Sequence, residues 1–104
     1  MERLEKIFGN EREAKIAQGL LVTILEKTGP VRVIELMIDA LPDITVLLGP
    51  EDPNPRNANY CSIFEQLLRS GFVKDIREGR GLDAGTVIVM PEESKTFFEE
   101  HYMD

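Results

Sequence analysis

A chain of 104 residues has the length of one folding domain, and it can bury a core without staples. Hydrophobic residues at 42% and charged residues at 30% are ordinary for a globular protein, while the single cysteine excludes an internal disulfide and any multi-cysteine metal site. The net charge of −7 and the pI near 4.7 argue against a surface that binds polyanions everywhere, because phosphate neutralisation needs Lys and Arg.

The first eight residues, MERLEKIF, alternate charges and contain no apolar core of a signal peptide. No apolar run approaches the roughly 20 residues that span a bilayer, so no membrane partner and a cytoplasmic location are expected. Leu4, Ile7 and Phe8 form one short helical face. Asn10 can cap the next helix, with Glu11 and Glu13 favoured in its first turn. The spacing predicts a helix over 11–27 that buries Ala14, Ala17, Leu20, Leu21, Ile24 and Leu25, flanked by Ile16 and Val22.

Gly29 and Pro30 punctuate the chain, and residues 31–33 read as a short strand. A helix over 34–41 would turn Ile34, Leu36, Met37, Ile38 and Leu41 inward and Glu35 and Asp39 outward. Residues 42–58 contain Pro42, Pro50, Pro53 and Pro55. Residues 44–48 are apolar enough to pack on the core as a helical turn or strand. Residues 49–58 hold too many prolines for regular structure.

Residues 59–70 predict the most clearly two-faced helix of the chain. At about 100° per residue, Tyr60, Cys61, Ile63, Phe64, Leu67 and Leu68 share a face. Ser62, Glu65, Gln66 and Arg69 share the other. Cys61 is therefore expected to be buried packing rather than a reactive thiol. Gly71 can end the helix by taking positive φ. Residues 72–90 then predict an antiparallel hairpin with its tip within the glycine-rich 78–85 and the β-branched Thr86, Val87, Ile88 and Val89 on the return. Pro91 suits the first turn of a last helix, with Glu92 and Glu93 at its positive end. Phe97, Phe98 and Tyr102 are apolar at helical spacing there. Large aromatic residues near a chain end usually dock on something.

Enzyme signatures are missing. His101 stands alone, and no second His or Cys lies near it to complete a metal site. The glycines at 79, 81 and 85 lack the lysine of a phosphate-binding P-loop and join two strands rather than a strand and a helix. Adjacent acids such as Glu51 and Asp52, or Glu99 and Glu100, read as solvated surface. No catalytic residue, cofactor, metal or small-molecule ligand is identified.

The run Leu67-Leu68-Arg69-Ser70-Gly71-Phe72-Val73, followed by a charged strand, the Gly79-Arg80-Gly81 tip and the return strand, resembles the winged-helix superfamily of helix-turn-helix proteins. The resemblance implies a mainly α fold with a small antiparallel sheet. To that pattern this chain is expected to add helices at both ends of one winged helix-turn-helix domain spanning 1–104, and an insertion between the second and third core helices. The seventeen residues 42–58 depart from the pattern, since a helix-turn-helix joins its helices in roughly 3–4 residues.

In that superfamily the helix over 59–70 is the recognition helix and the hairpin is the wing. The resemblance thus implies a sequence-specific, double-stranded DNA-binding transcription regulator acting as a homodimer. Ser62, Gln66 and Arg69 would face base edges, Gln pairing with adenine and Arg with guanine. Asn59 and Tyr60 would meet phosphate at the helix start. Arg56 and Asn57 would approach from the proline-rich loop, and Lys74, Arg77 and Arg80 would hold the wing to the backbone. Residues 56–82 carry five basic against three acidic residues, a balance of +2 that leaves −9 on the rest. The homodimer would use Leu4, Ile7, Phe8, Phe97, Phe98 and Tyr102. The alternative is a winged helix used for protein–protein interaction or as a complex subunit without DNA binding. The acidic total, the insertion and Glu65 in the middle of the polar face support it.

Overall fold

Helix α2 (Glu11–Glu26) is the axis of the molecule, packing against α1 (Leu4–Ile7), α3 (Val33–Asp39), α4 (Leu41–Leu48) and α5 (Tyr60–Arg69). The computed structural model describes residues 1–27, 29–77, 81–83 and 85–103. Three short strands, β1 (Val31–Arg32), β2 (Lys74–Asp75) and β3 (Val87–Val89), and a last helix, α6 (Glu92–Tyr102), complete the described fold. It is mainly helical with a small antiparallel sheet. The radius of gyration of 12.7 Å matches the about 13 Å of a compact chain this long.

Local chemistry sets the helix limits. Asn10 starts α2 by accepting the Glu13 amide on its side chain at 2.9 Å. Along α2 the buried residues include Ala14, Ile16, Ala17, Leu20, Leu21 and Ile24, while Val22 and Leu25 are half-buried. Gly19 lets α4 come close: a Cβ there would lie 2.5 Å from Ile44 Cγ1 and 3.2 Å from its Cα. The apolar run at 44–48 is therefore helical, burying Ile44 and Leu48 on α2. Pro42 stands in the first turn of α4, where its missing N–H costs no helical hydrogen bond. Gly49 closes α4 at φ 81°. Residues 49–59 contain no helix or strand, as the prolines require.

Three expectations of burial need correction. Ile34 and Ile38 were expected inside; they are exposed, and α3 turns Val33 and Leu36 to the core instead. An α3 of seven residues has room for one inward stripe, and the run from Val33 to Ile38 carries more apolar positions than that stripe can hold. Cys61 is exposed, because the buried stripe of α5 is Tyr60, Ile63, Phe64 and Leu67, at i, i+3, i+4 and i+7. Cys61 and Leu68 lie on the flank of that stripe, where Leu68 is half-buried. Pro91 is the residue before α6 rather than within its first turn.

The expected hairpin is present. Lys74 pairs with Val89 and Asp75 with Ile88, and β1 adds on the other side through Val31 with Ile88 and Arg32 with Val87. The sheet order is β1-β3-β2. Gly71 turns the chain from α5 into β2 at φ 84°, its amide reaching the Leu68 carbonyl at 3.3 Å. The expected tip at 78–85 falls partly on residues 78–80 and 84, which lie outside the described residues.

The two chain ends close on the domain itself. Leu4, Phe8 and Phe98 are in the hydrophobic core, and Ile7, Phe97 and Tyr102 pack half-buried against it. The Tyr102 hydroxyl accepts the Leu4 amide at 2.8 Å and donates to Glu5 Oε2 at 2.7 Å. Leu4, Phe8 and Phe98, expected in a dimer contact, are buried within the single chain.

Candidate functional site

The outward face of α5 is the first part of the site. Asn59 caps the helix, its Oδ1 accepting the Ser62 amide at 3.1 Å. Capping gives Asn59 a role within the fold, although the residue stays exposed. Ser62 and Gln66 are half-buried, and Glu65 and Arg69 are exposed. Gln66 and Arg69 share an open cleft of about 380 Å³ with Ser70, Met1, Glu2 and Ile7. The structure thus brings Ser62, Gln66 and Arg69 onto one face, with the start of the chain beside its C-terminal end. Among the described residues the Arg69 guanidinium has no ion pair or hydrogen bond.

Tyr60 sits differently from the expected phosphate contact. It is buried, and its hydroxyl donates to the Pro55 carbonyl at 2.6 Å. Burial pushes its phenol pKa up, against the pull of Arg12. The residue fastens the proline-rich loop to the start of α5.

The hairpin is the second part. Lys74 is exposed on β2. Arg77 is engaged within the hairpin. Its guanidinium donates to Thr86 Oγ1 at 2.7 Å and to Asp83 Oδ1 at 3.3 Å, and its backbone amide donates to Asp75 Oδ1 at 2.9 Å. Asp83 also accepts the Gly85 amide at 2.8 Å. Burial works to raise the Asp83 carboxyl, but the Gly85 amide and Arg77 outweigh it and hold the pKa below the usual range. Arg77 therefore braces the hairpin base. Arg80 lies outside the described residues.

The loop over 49–58 is the third part, and sequence reasoning missed what holds it. Arg12 of α2 pairs with Asp52 and donates to the carbonyls of Asn54 at 3.0 Å and Asn57 at 2.8 Å. A signal existed in the sequence. Arg12 stands between Glu11 and Glu13 in the first turn of a helix, where the dipole disfavours a cation, so a carboxylate partner elsewhere was to be sought. Asn57 and Arg56 are exposed at the end of this loop. Arg56 lies beside Tyr60 and the outer residues of α3, and does not line the cleft of Gln66 and Arg69.

Among the described residues no group of His, Cys, Asp and Glu could hold a metal ion, and no helix is long and apolar enough to cross a membrane. Comparison with family models, curated proteins and solved structures finds no match to this chain.

Proposed function

We propose that the chain is a winged helix-turn-helix protein that binds duplex DNA through α5, acting as a cytoplasmic transcription regulator and a homodimer. The observation that carries this reading is the polar face of α5, held outside the core immediately before an antiparallel hairpin. The order α2, β1, α3, α5, β2, β3 and the sheet order β1-β3-β2 support it. In this reading α4 and the loop over 49–58 are the insertion between the second and third core helices. Ser62, Gln66 and Arg69 are the base-reading residues. Arg56, Asn57 and Lys74 meet phosphates, joined by Arg80 from the wing tip. Tyr60, Asn59 and Arg77 act at one remove, by fixing the loop, the helix start and the hairpin base.

Selection of bound duplexes from a random pool, followed by titration of the selected site, tests the assignment. Replacing Gln66 or Arg69 with alanine should cost about 1–3 kcal/mol at particular base pairs. Replacing Arg80 should weaken all sequences alike and lower the salt slope by about 1. Unchanged affinity and preference in the Gln66 and Arg69 variants would remove α5 as the reader.

The alternative, a protein-interaction module, is favoured by one observation. Helix α3 exposes Ile34 and Ile38 on a chain of net charge −7. Co-purification with a partner by a protein that shows no duplex affinity even at low salt would select it.

A further inference from the structure

Helix α3 carries an apolar surface that no described residue covers. Ile34 and Ile38, one turn apart, are 42% and 62% exposed. With Met37, Leu41, Tyr60 and Arg56 they line an open groove of about 240 Å³. Single exposed apolar residues are ordinary, but a contiguous strip along one helix marks a contact surface.

The charges around the strip indicate what covers it. Arg56 stands on the groove and Glu35 follows Ile34 on α3. Neither side chain has an ion pair or hydrogen bond among the described residues. The neighbouring Asp39 is already bound to Lys27 at 2.7 Å. The groove thus carries an exposed cation, Arg56, and the helix beside it an exposed acid, Glu35, which also feels the charge of Lys27.

We propose that this groove is covered by the same groove of a second copy of the chain, α3 against α3 across a two-fold axis. A two-fold contact requires a patch that complements itself, because every pairing is made twice. Here the ridge of Ile34 and Ile38 meets its equivalent, and Glu35 faces the partner subunit's Arg56. A helix face that lies on lipid carries cations beside its apolar strip, and α3 carries Glu35 and Asp39 instead. The proposal rests on the homodimer of the proposed function and gives Arg56 to the partner's Glu35 rather than to a phosphate; it places the dimer contact away from the terminal helices, whose Leu4, Phe8 and Phe98 lie in the core.

Sedimentation of the full chain over a range reaching about 100 µM tests the proposal, a range that detects even weak association. The parent should be dimeric at the upper end. Ile38→Glu should raise the dissociation constant at least about tenfold, as loss of a central apolar contact does. Glu35→Arg and Arg56→Glu should each weaken the dimer, and the double reversal should restore it. Both positions are exposed, so these variants decide the matter even if Ile38→Glu disturbs folding, which circular dichroism would reveal. A parent that stays monomeric overturns the proposal. So does a dimer that ignores all four variants, or a parent that binds anionic vesicles through this strip without self-association.

Discussion

Arg12 and Asp52 form an ion pair that joins the first turn of α2 to a loop forty residues later in the chain. The same guanidinium reaches two backbone carbonyls of that loop. A proline-rich segment cannot satisfy its own backbone in a helix or sheet, so an arginine with several donors in a planar fork does so from outside. The clamp sets the position of Arg56 and Asn57 ahead of α5.

Replacing Arg12 with methionine keeps an aliphatic stem and removes the clamp. Amide exchange should speed up for Asp52 and Asn57, whose N–H groups bond only to the carbonyls of Gly49 and Asn54 within the loop. Amides in the middle of α2 should be unaffected. Protection that stays as it was in the loop would mean that the prolines alone fix it.

The same pair has an acid limit. The hydrogen bond from Arg12 holds the Asp52 carboxyl below its ordinary value of 3.8, against a smaller effect of burial. A carboxylate with a lowered folded-state pKa stabilises the fold above its unfolded value and loses that contribution as pH falls through the lowered one. Loop exchange in the parent should therefore rise toward that of the Arg12→Met variant only below about pH 4. Loosening already at pH 5–6 would assign the hold to another group.

Gly19→Ala should destabilise, although alanine is the better helix former by about 1 kcal/mol. The new Cβ would lie 2.5 Å from Ile44 Cγ1, with the backbone of Ile44 at 3.2 Å, so α4 must move away from α2. Overpacking of this kind costs about 1–3 kcal/mol. Gly9→Ala has open space around it and should shift the unfolding midpoint little. Equal midpoints for the two variants would contradict the close approach of α2 and α4.

On α5, Phe64→Ala should cost about 3–5 kcal/mol by leaving a cavity. Cys61→Ser, at an exposed position, should stay within about 0.5 kcal/mol. Denaturant titration of both variants measures how the helix is rotated. A large loss at Cys61 with little loss at Phe64 would mean that the helix faces the other way.

The tie between the two chain ends should weaken in alkali. Burial, together with the hydrogen bond to Glu5, pushes the Tyr102 phenol up to about 12 from an ordinary value of 10. A group whose folded pKa is raised stabilises fully below the unfolded value, so this contribution is present below pH 10 and is lost as pH approaches 12. Tyr102→Phe leaves the Leu4 amide without its acceptor and should cost about 1 kcal/mol at neutral pH. It should also flatten the stability profile between those two pH values. A variant as alkali-sensitive as the parent would place the effect on another residue.

Much of this fold is legible in the sequence because period and punctuation agree. Asn10, Asn59 and Gly71 bound their helices as their side chains and backbone freedom dictate, and the β-branched run at 86–89 pairs as a hairpin arm. The failures share a cause. Ile34, Ile38 and the terminal aromatics are apolar, and apolarity alone does not say which neighbour covers a residue. The sequence also leaves the partners of polar side chains unassigned. Tyr60 to Pro55, Arg77 to Thr86 and Arg12 to Asp52 each turn a residue with a plausible surface role into a brace. The polar face of α5 and the acids Glu35 and Asp39 of α3 do lie on the outer side of their helices as the spacing implied.

The most direct measurement is a titration of the full chain with pooled random duplexes at low ionic strength, repeated as salt is raised. The account predicts binding whose logarithm falls linearly with the logarithm of salt, with weak affinity for most sequences because −9 lies outside residues 56–82. A minority of duplexes should be retained at salt that releases the rest, and Arg69→Ala should abolish that retention. No binding at protein concentrations of about 10⁻⁴ M, where even the non-specific electrostatic contribution is measurable, would contradict DNA binding by this chain.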